Sequence, residues 1–132
     1  MELKTDQPFD LAASLESGQA HRWRREEDWY CGVVWGNFIK LRQVDGQVEF
    51  CSAPSPEAQM LPMLQSYFRL DDDLAAIYSE ISRDRRVATM VDRYPGLRLL
   101  RLEPWECVVS FICSANCNIP RIHQIVEGLA TR

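Results

Sequence analysis

Residues 29–50, WYCGVVWGNFIKLRQVDGQVEF, hold two turn signals between three runs of strand-forming residues. Trp29–Trp35 is aromatic and β-branched, a composition that suits a pleated surface. Gly36-Asn37 marks a turn, and Asp45-Gly46 is the strongest short hairpin signal in the chain. In the later runs, apolar residues alternate with polar ones at Ile39, Leu41, Val48 and Phe50. The stretch therefore predicts a three- or four-stranded antiparallel meander with one buried face.

On either side of the meander the hydrophobic period becomes helical. Phe9–Leu15 predicts a short helix or turn that ends at Gly18. After the break at Ala53-Pro54-Ser55-Pro56, a first stripe consists of Leu61, Leu64, Tyr67 and Phe68. Pro62 within it predicts a helix that starts late or is kinked.

Two more helices are predicted before residue 97. Asp72 or Asp73 is placed to cap the first of them, whose apolar face is Leu74, Ile77, Tyr78 and Ile81. The second carries Val87, Met90 and Val91 and ends near Tyr94. Leu97–Leu102 is predicted to be a short strand or an extended link. The fold class is therefore α+β, a small antiparallel sheet covered by helices.

Length and composition point to an ordinary globular protein. The chain has 132 residues, 46% of them hydrophobic and 26% charged, with a net charge of −4. This length suits one domain, or one domain and part of another. No apolar run approaches the ~20 residues of a membrane span, and the N-terminus has no signal-peptide pattern. We therefore expect an intracellular protein with no membrane partner.

From Pro104 the sequence is more apolar. Pro104 suits the first position of a helix that is apolar nearly all round, and Ile119-Pro120 opens another. Helices with so much apolar surface need partners. We therefore divide the chain into an α+β domain, residues 1–102, and the truncated beginning of a helical domain, residues 103–132. The alternatives are a complete domain in which both helices pack on the sheet, or a dimer.

The five cysteines predict neither a disulfide framework nor a metal site. Their number is odd and no C-x-x-C motif occurs. Cys113 and Cys117 could share a helix face, but a zinc site would need two more ligands, and only His21 and His123 are available. Reduced cysteines more often fill cores. We expect no metal and no cofactor.

Two segments are hard to explain by packing alone: Ser17–Trp23 and Ser110–Ile122. In the first, Gly18 permits a positive φ and a close approach to its backbone, although a glycine at this position also commonly ends a helix. In the second, Asn116 and Asn118 flank Cys117 between two helices, and Arg121 lies in the first turn of the second helix. Asn at such a junction is usually a cap. The functional alternative is a polar tip directed at a nucleic-acid duplex.

These segments belong to a series of motifs whose order and spacing extend over nearly the whole chain. The motifs are Phe9-Asp10-Leu11, Ser17-Gly18-Gln19 with Arg22-Trp23, Tyr67-Phe68 with Leu70-Asp71, Tyr94–Arg101, Pro104–Cys107 and Ser110–Ser114. In this series the sequence resembles the N-terminal half of the 8-oxoguanine DNA glycosylases of the helix-hairpin-helix superfamily. The resemblance implies a TATA-binding-protein-like sheet domain followed by a helical domain. It also implies base excision repair of 8-oxoguanine opposite cytosine in duplex DNA, with base flipping and AP lyase β-elimination.

Four site residues follow from the resemblance. Gly18 matches the glycine whose carbonyl accepts the N7–H of 8-oxoguanine, and Asn116 matches the residue that fills the space left by the flipped base. Arg121 matches an arginine that contacts the widowed cytosine, and Asn118 belongs to the same DNA-binding motif. His21, Cys117 and Leu102 depart from the usual Phe, Asn and polar residue.

The catalytic Lys and Asp of this family, and its helix-hairpin-helix, do not occur in the chain. Neither Lys4 nor Lys40 lies in a matching context. We therefore expect no catalytic residue here and no activity of the chain alone. The alternatives are a damaged-DNA-binding module that does not cut, a scaffold domain, and a related glycosylase acting on alkylated bases. The net charge of −4 argues against strong DNA binding by the chain alone.

Overall fold

The meander forms as the sequence predicts. In the computed structural model, which describes all 132 residues, β3 (Trp29–Val34), β4 (Asn37–Val44) and β5 (Gln47–Ala53) pair antiparallel. Two-residue turns connect them at Trp35-Gly36 and Asp45-Gly46. The register places Tyr30 opposite Leu41 and Leu41 opposite Phe50. All three side chains are buried, so one face of the sheet carries the core.

Two further strands complete a five-stranded sheet with the order β1-β5-β4-β3-β2. β1 (Glu2–Leu3) pairs with β5, and β2 (Arg24–Glu26) pairs with β3. The strands β2 to β5 are thus a four-stranded meander, and β1 is added at its edge. The sequence did not predict β1 because two residues carry no periodicity, nor β2 because all three of its residues are exposed.

Six helices accompany the sheet: α1 (Leu11–Glu16), α2 (Glu57–Tyr67), α3 (Leu74–Ile81), α4 (Arg85–Arg93), α5 (Pro104–Cys113) and α6 (Ile119–Ala130). α1 and α2 cover the buried face of the sheet with Leu11, Leu15, Met60 and Leu64. Of the two effects predicted for Pro62, a late start or a kink, the late start is wrong, because α2 begins at Glu57 and runs through Pro62. Asp73, rather than Asp72, caps α3. No helix combines the length and apolarity needed to cross a membrane.

Residues 97–103 form the extended link, not a strand. Arg98 in this link is only 2% exposed. Its guanidinium donates hydrogen bonds to the carbonyls of Arg69, Asp72 and Pro8, over 3.1, 3.3 and 3.2 Å. Burial lowers the pKa of Arg98 because it penalises the charged form. One side chain thus holds the link to Pro8 and to the turn that contains Arg69 and Asp72.

The last two helices pack against each other but leave much apolar surface exposed. Trp105, Phe111 and Ile112 on α5 are 70%, 79% and 66% exposed. The periodicity of the α6 sequence predicts one apolar stripe of Ile119, Ile122, Ile125 or Val126, and Leu129, and this prediction is only partly right. Ile122 and Val126 are buried, whereas Ile119 and Leu129 are exposed.

Replacement of Arg98 by Met is expected to lower the free energy of unfolding by at least about 3 kcal/mol, because three carbonyls lose their donor. The matched control is Arg86→Met on α4, whose exposed side chain makes no ion pair. That variant is expected to change stability by less than about 0.5 kcal/mol. Urea unfolding measures both, and equal losses would show that the guanidinium does not hold the link.

Candidate nucleic-acid interface

Gly18 lies in a sharp turn directly after α1. Ser17 is the C-cap of that helix, and Gly18 follows it with φ +80°. This left-handed conformation is the one in which glycine commonly ends a helix. No backbone N–H of the chain donates to the Gly18 carbonyl. Its oxygen is therefore free to accept a hydrogen bond from a ligand.

Gln19 fixes this turn against the extended link. Its Nε2 donates to the Arg98 carbonyl over 3.0 Å, and its Oε1 accepts from the Leu100 N–H over 2.9 Å. Nε2 also lies 2.8 Å from Ser17 Oγ. The side-chain amide of Gln19 thus pairs with the backbone of the link as a neighbouring strand would. The sequence motif contains Gln19, but nothing in the motif indicates this role.

Trp23 anchors the other end of the same segment. Its indole N–H donates to the Tyr67 hydroxyl over 2.9 Å. A Cβ on Gly32 would lie 2.5 Å from Trp23 Cε3, so the glycine in β3 makes room for the indole ring. The segment from Gly18 to Trp23 is thus fastened to the link at one end and to the core at the other.

The turn between α5 and α6 presents the predicted polar tip. Asn116 is exposed and has φ 55°, a conformation that Asn tolerates better than most residues. The Asn118 side chain accepts from the Arg121 N–H over 3.0 Å, so Asn118 is the N-cap of α6. Arg121 is exposed, and its guanidinium lies 3.2 Å from Gln124 Oε1.

The structure brings the Gly18 turn against the start of α6. A Cβ at Gly18 would lie 2.9 Å from Ile119 Cδ1. Further along the helix, the imidazole of His123 packs against that of His21, and Arg24 forms an ion pair with Glu127. Gly18 is therefore close to the helical turn that carries Asn118 and Arg121. Asn116 projects from the loop that precedes this turn.

A groove of about 420 Å³ lies beside this interface, between α5, α6 and the sheet. Its charged and polar lining residues are Arg22, Glu103, Glu106 and Ser110, and Trp35 and Trp105 also line it. Burial raises the pKa of Glu106, and the guanidinium of Arg22 opposes that shift. The Ser110 hydroxyl is buried without a hydrogen-bond partner.

No metal site is formed: no three His, Cys, Asp or Glu side chains are grouped to hold an ion. The cysteines are all free. Their interpretation as core residues is right for buried Cys31 and wrong for exposed Cys51 and Cys107.

Neither lysine contacts the Gly18 turn. Lys4 pairs with Glu2 of β1 over 3.6 Å, and Lys40 of β4 lies over the Trp29 ring at 5.5 Å from its centroid.

A family model supplies the decisive comparison. The model described as "8-oxoguanine DNA glycosylase, N-terminal domain" matches residues 2–108. This chain belongs to that family. Among curated relatives, it is 31% identical to the N-glycosylase/DNA lyase OGG1 of Arabidopsis thaliana, over 96% of this chain and 36% of that protein. It is 40% identical to the N-glycosylase/DNA lyase of Saccharomyces cerevisiae, over 92% of this chain and 35% of that protein.

Solved structures agree with this membership. MBOgg1 in complex with a low-affinity DNA ligand superposes with a TM-score of 0.84 at 32% identity, over 95% of this chain and 43% of that one. The apo form of the Clostridium acetobutylicum 8-oxoguanine glycosylase/lyase gives a TM-score of 0.79 at 31% identity, over 93% of this chain and 45% of that one. The chain thus spans less than half the length of these relatives.

Replacement of Gly18 by Ala is expected to destabilise the chain in two separable ways. The positive φ costs about 1–2 kcal/mol, and the contact with Ile119 Cδ1 adds about 1 kcal/mol. Gly36→Ala is the matched control, because Gly36 has φ +75° and open space around it.

Gly18→Ala should lose more free energy of unfolding than Gly36→Ala does. This extra loss should disappear when Ile119 is also replaced by Val, which lacks Cδ1. Urea unfolding of the five chains measures this coupling. An excess that survives in the Val background would show that the Gly18 turn does not rest on Ile119.

Proposed function

We propose that this chain supplies the lesion-recognition part of an 8-oxoguanine DNA glycosylase with AP lyase activity. The observation that carries the proposal is the unpaired carbonyl of Gly18 in a turn fastened by Gln19. The N7 of 8-oxoguanine bears a hydrogen, whereas the N7 of guanine bears a lone pair. The Gly18 carbonyl therefore accepts a hydrogen bond from N7–H of the lesion. With guanine, the carbonyl oxygen and N7 would be two acceptors facing each other, which disfavours binding.

The polar tip is proposed to contact the rest of the duplex. Asn116 is exposed at the end of the α5–α6 turn, where its side chain is available to fill the space left by a flipped base. Arg121 is one turn away and exposed, available to contact the unpaired cytosine. Asn118 acts first as the cap of α6 and thereby orients this turn. Double-stranded DNA containing 8-oxoguanine opposite cytosine is the proposed partner.

The chemistry is proposed to come from outside this chain. Schiff-base formation needs an amine close to the sugar carbon of the flipped nucleotide. Lys4 and Lys40 are engaged at β1 and β4. We infer that residues 103–132 begin a helical domain whose remainder, with the helix-hairpin-helix, carries the catalytic Lys and Asp. The exposed apolar residues of α5 support this inference, since such a face is expected to pack against further helices.

Borohydride trapping tests the division between recognition and chemistry. The substrate is a duplex with 8-oxoguanine opposite cytosine. The chain is assayed alone and with the separately expressed C-terminal part of the C. acetobutylicum glycosylase/lyase. That part, combined with its own N-terminal part, is the positive control. We expect a covalent adduct only in the mixture. An adduct with the chain alone would contradict the assignment of the nucleophile to another part.

Substitutions at the tip should weaken binding without unfolding the chain. Arg121→Gln is expected to cost about 1–3 kcal/mol in affinity for the 8-oxoguanine duplex, the range of a base-edge contact. Asn116→Gly removes the amide and keeps the positive φ permissible, so it should weaken binding to the lesion duplex with little loss of stability. Arg86→Gln, an exposed position on α4, is the control.

Fluorescence anisotropy at low ionic strength measures affinity, and urea unfolding measures stability in parallel. Low salt is chosen because phosphate contacts of a chain with net charge −4 are otherwise weak. Loss of stability with unchanged affinity would support a purely structural tip. Equal weakening by Arg86→Gln would indicate nonspecific attraction.

A further inference from the structure

His21 and His123 form an edge-to-face pair between the Gly18 segment and α6. Their ring centroids are 4.8 Å apart and the rings are inclined at 82°. His123 Nδ1 lies 3.1 Å from the His21 carbonyl. A carbonyl only accepts, so this nitrogen carries a proton and donates. The His21 ring is 6% exposed, and its own Nδ1 is buried without a partner.

The pair is the middle of three contacts on one face of α6. Ile119, His123 and Glu127 are spaced by four residues and therefore lie along one side of the helix. They meet, in order, Gly18, His21 and Arg24. The position of the Gly18 turn relative to α6 is thus set by this row, and the histidine pair is the contact in it built from the side chain whose charge ordinarily changes between pH 5 and 8.

No acceptor of the chain is hydrogen-bonded to the His21 ring, whose Nδ1 is buried. The crevice beside His123 is lined by Glu16 of α1, Arg25 of β2 and Tyr30 of β3. Oε1 of Glu16 accepts from the Tyr30 hydroxyl over 2.5 Å and lies 3.7 Å from Arg25 Nη1. Glu127 on α6 is paired with Arg24. None of these groups hydrogen bonds to either imidazole.

Protonation of His21 therefore works against this interface. Burial, and then the neighbouring His123, lower the pKa of His21 below its usual value of 6.5. A histidine with a lowered folded-state pKa contributes stability that is complete above pH 6.5. That contribution is lost as the pH falls from there through the folded-state pKa.

We propose that His21 and His123 are positioning residues that hold the Gly18 turn against α6 while His21 is neutral, and that protonation of His21 releases the turn and weakens lesion recognition. The second half of this statement rests on the proposed function of Gly18. The first half concerns only the chain and is tested without DNA.

Nuclear magnetic resonance of the whole chain between pH 8 and pH 5 tests the positioning role. We expect the amide signals of Gly18 and Ile119 to follow the titration of the His21 imidazole, and that of Gly46, in the remote β4–β5 turn, to stay constant. In His21→Phe, which keeps an aromatic ring and cannot take up a proton, the Gly18 signal should become independent of pH. Constant Gly18 and Ile119 signals in the unaltered chain would overturn the proposal, as would a Gly18 titration that persists in His21→Phe.

Urea unfolding at pH 8 and pH 5.5 is a second test of the positioning role. It measures the free energy of unfolding and can be used even if a variant folds less stably at acid pH. The unaltered chain should lose more stability between these two pH values than His21→Phe does. An equal loss in the two chains would overturn the proposal, because the proton responsible would then bind elsewhere.

A DNA-binding measurement distinguishes a failure of this inference from a failure of the proposed function. The measured quantity is the ratio of affinities for 8-oxoguanine and guanine duplexes, in which the nonspecific attraction of an added positive charge cancels. Below the folded-state pKa of His21 the ratio should fall about tenfold per pH unit, since only the neutral form is competent. In His21→Phe it should be flat.

A ratio above one at pH 7.5 that does not change on acidification, with the Gly18 signal still titrating, would overturn the coupling to recognition. A ratio of one at every pH would instead overturn the proposed function of Gly18. The magnetic-resonance result would then still decide whether the histidine pair positions the turn.

Discussion

The buried guanidinium of Arg98 is the constraint on which the remaining architecture depends. Arg98 is only 2% exposed, and its Nη1 and Nη2 groups donate to the carbonyls of Arg69, Asp72 and Pro8, while its Nε–H is buried without a partner. The backbone N–H of Arg98 donates to the Ser14 hydroxyl oxygen over 3.0 Å. The extended link is therefore held in one path between α1 and the helices, although it belongs to no sheet.

The path of the link determines where the candidate site lies. The Gln19 side chain hydrogen bonds with the Arg98 carbonyl and the Leu100 N–H, so the position of the link fixes the position of the Gly18 turn. Ile119 then meets Gly18, which aligns α6 with the same turn. An acceptor held through such a chain of contacts requires little rearrangement on binding, and recognition by a single hydrogen bond is selective only when the acceptor cannot turn away.

The sequence predicted the parts of the fold that are governed by local rules. β3, β4 and β5 were predictable because alternation and hairpin turns act over a few residues, and the caps Asp73 and Asn118 because capping depends on residue type. β1 was not predictable, since a two-residue strand exists only through its pairing with Val48 and Glu49. The burial of α6 was overestimated because periodicity shows which residues share a face, but not which of them find a partner.

The candidate site also divides into features that local sequence indicates and contacts between residues far apart in the chain. Gly18 and the α5–α6 turn could be singled out as candidates from the sequence because their residue types are unusual at those positions. The clamp by Gln19 and the pairing of His21 with His123 join residues 79 and 102 positions apart, and no local pattern encodes such contacts. The substitution of His for the usual Phe at position 21 was visible only as a departure. The consequence that we propose for it follows from the second histidine, because the geometry then pairs two imidazoles across the interface.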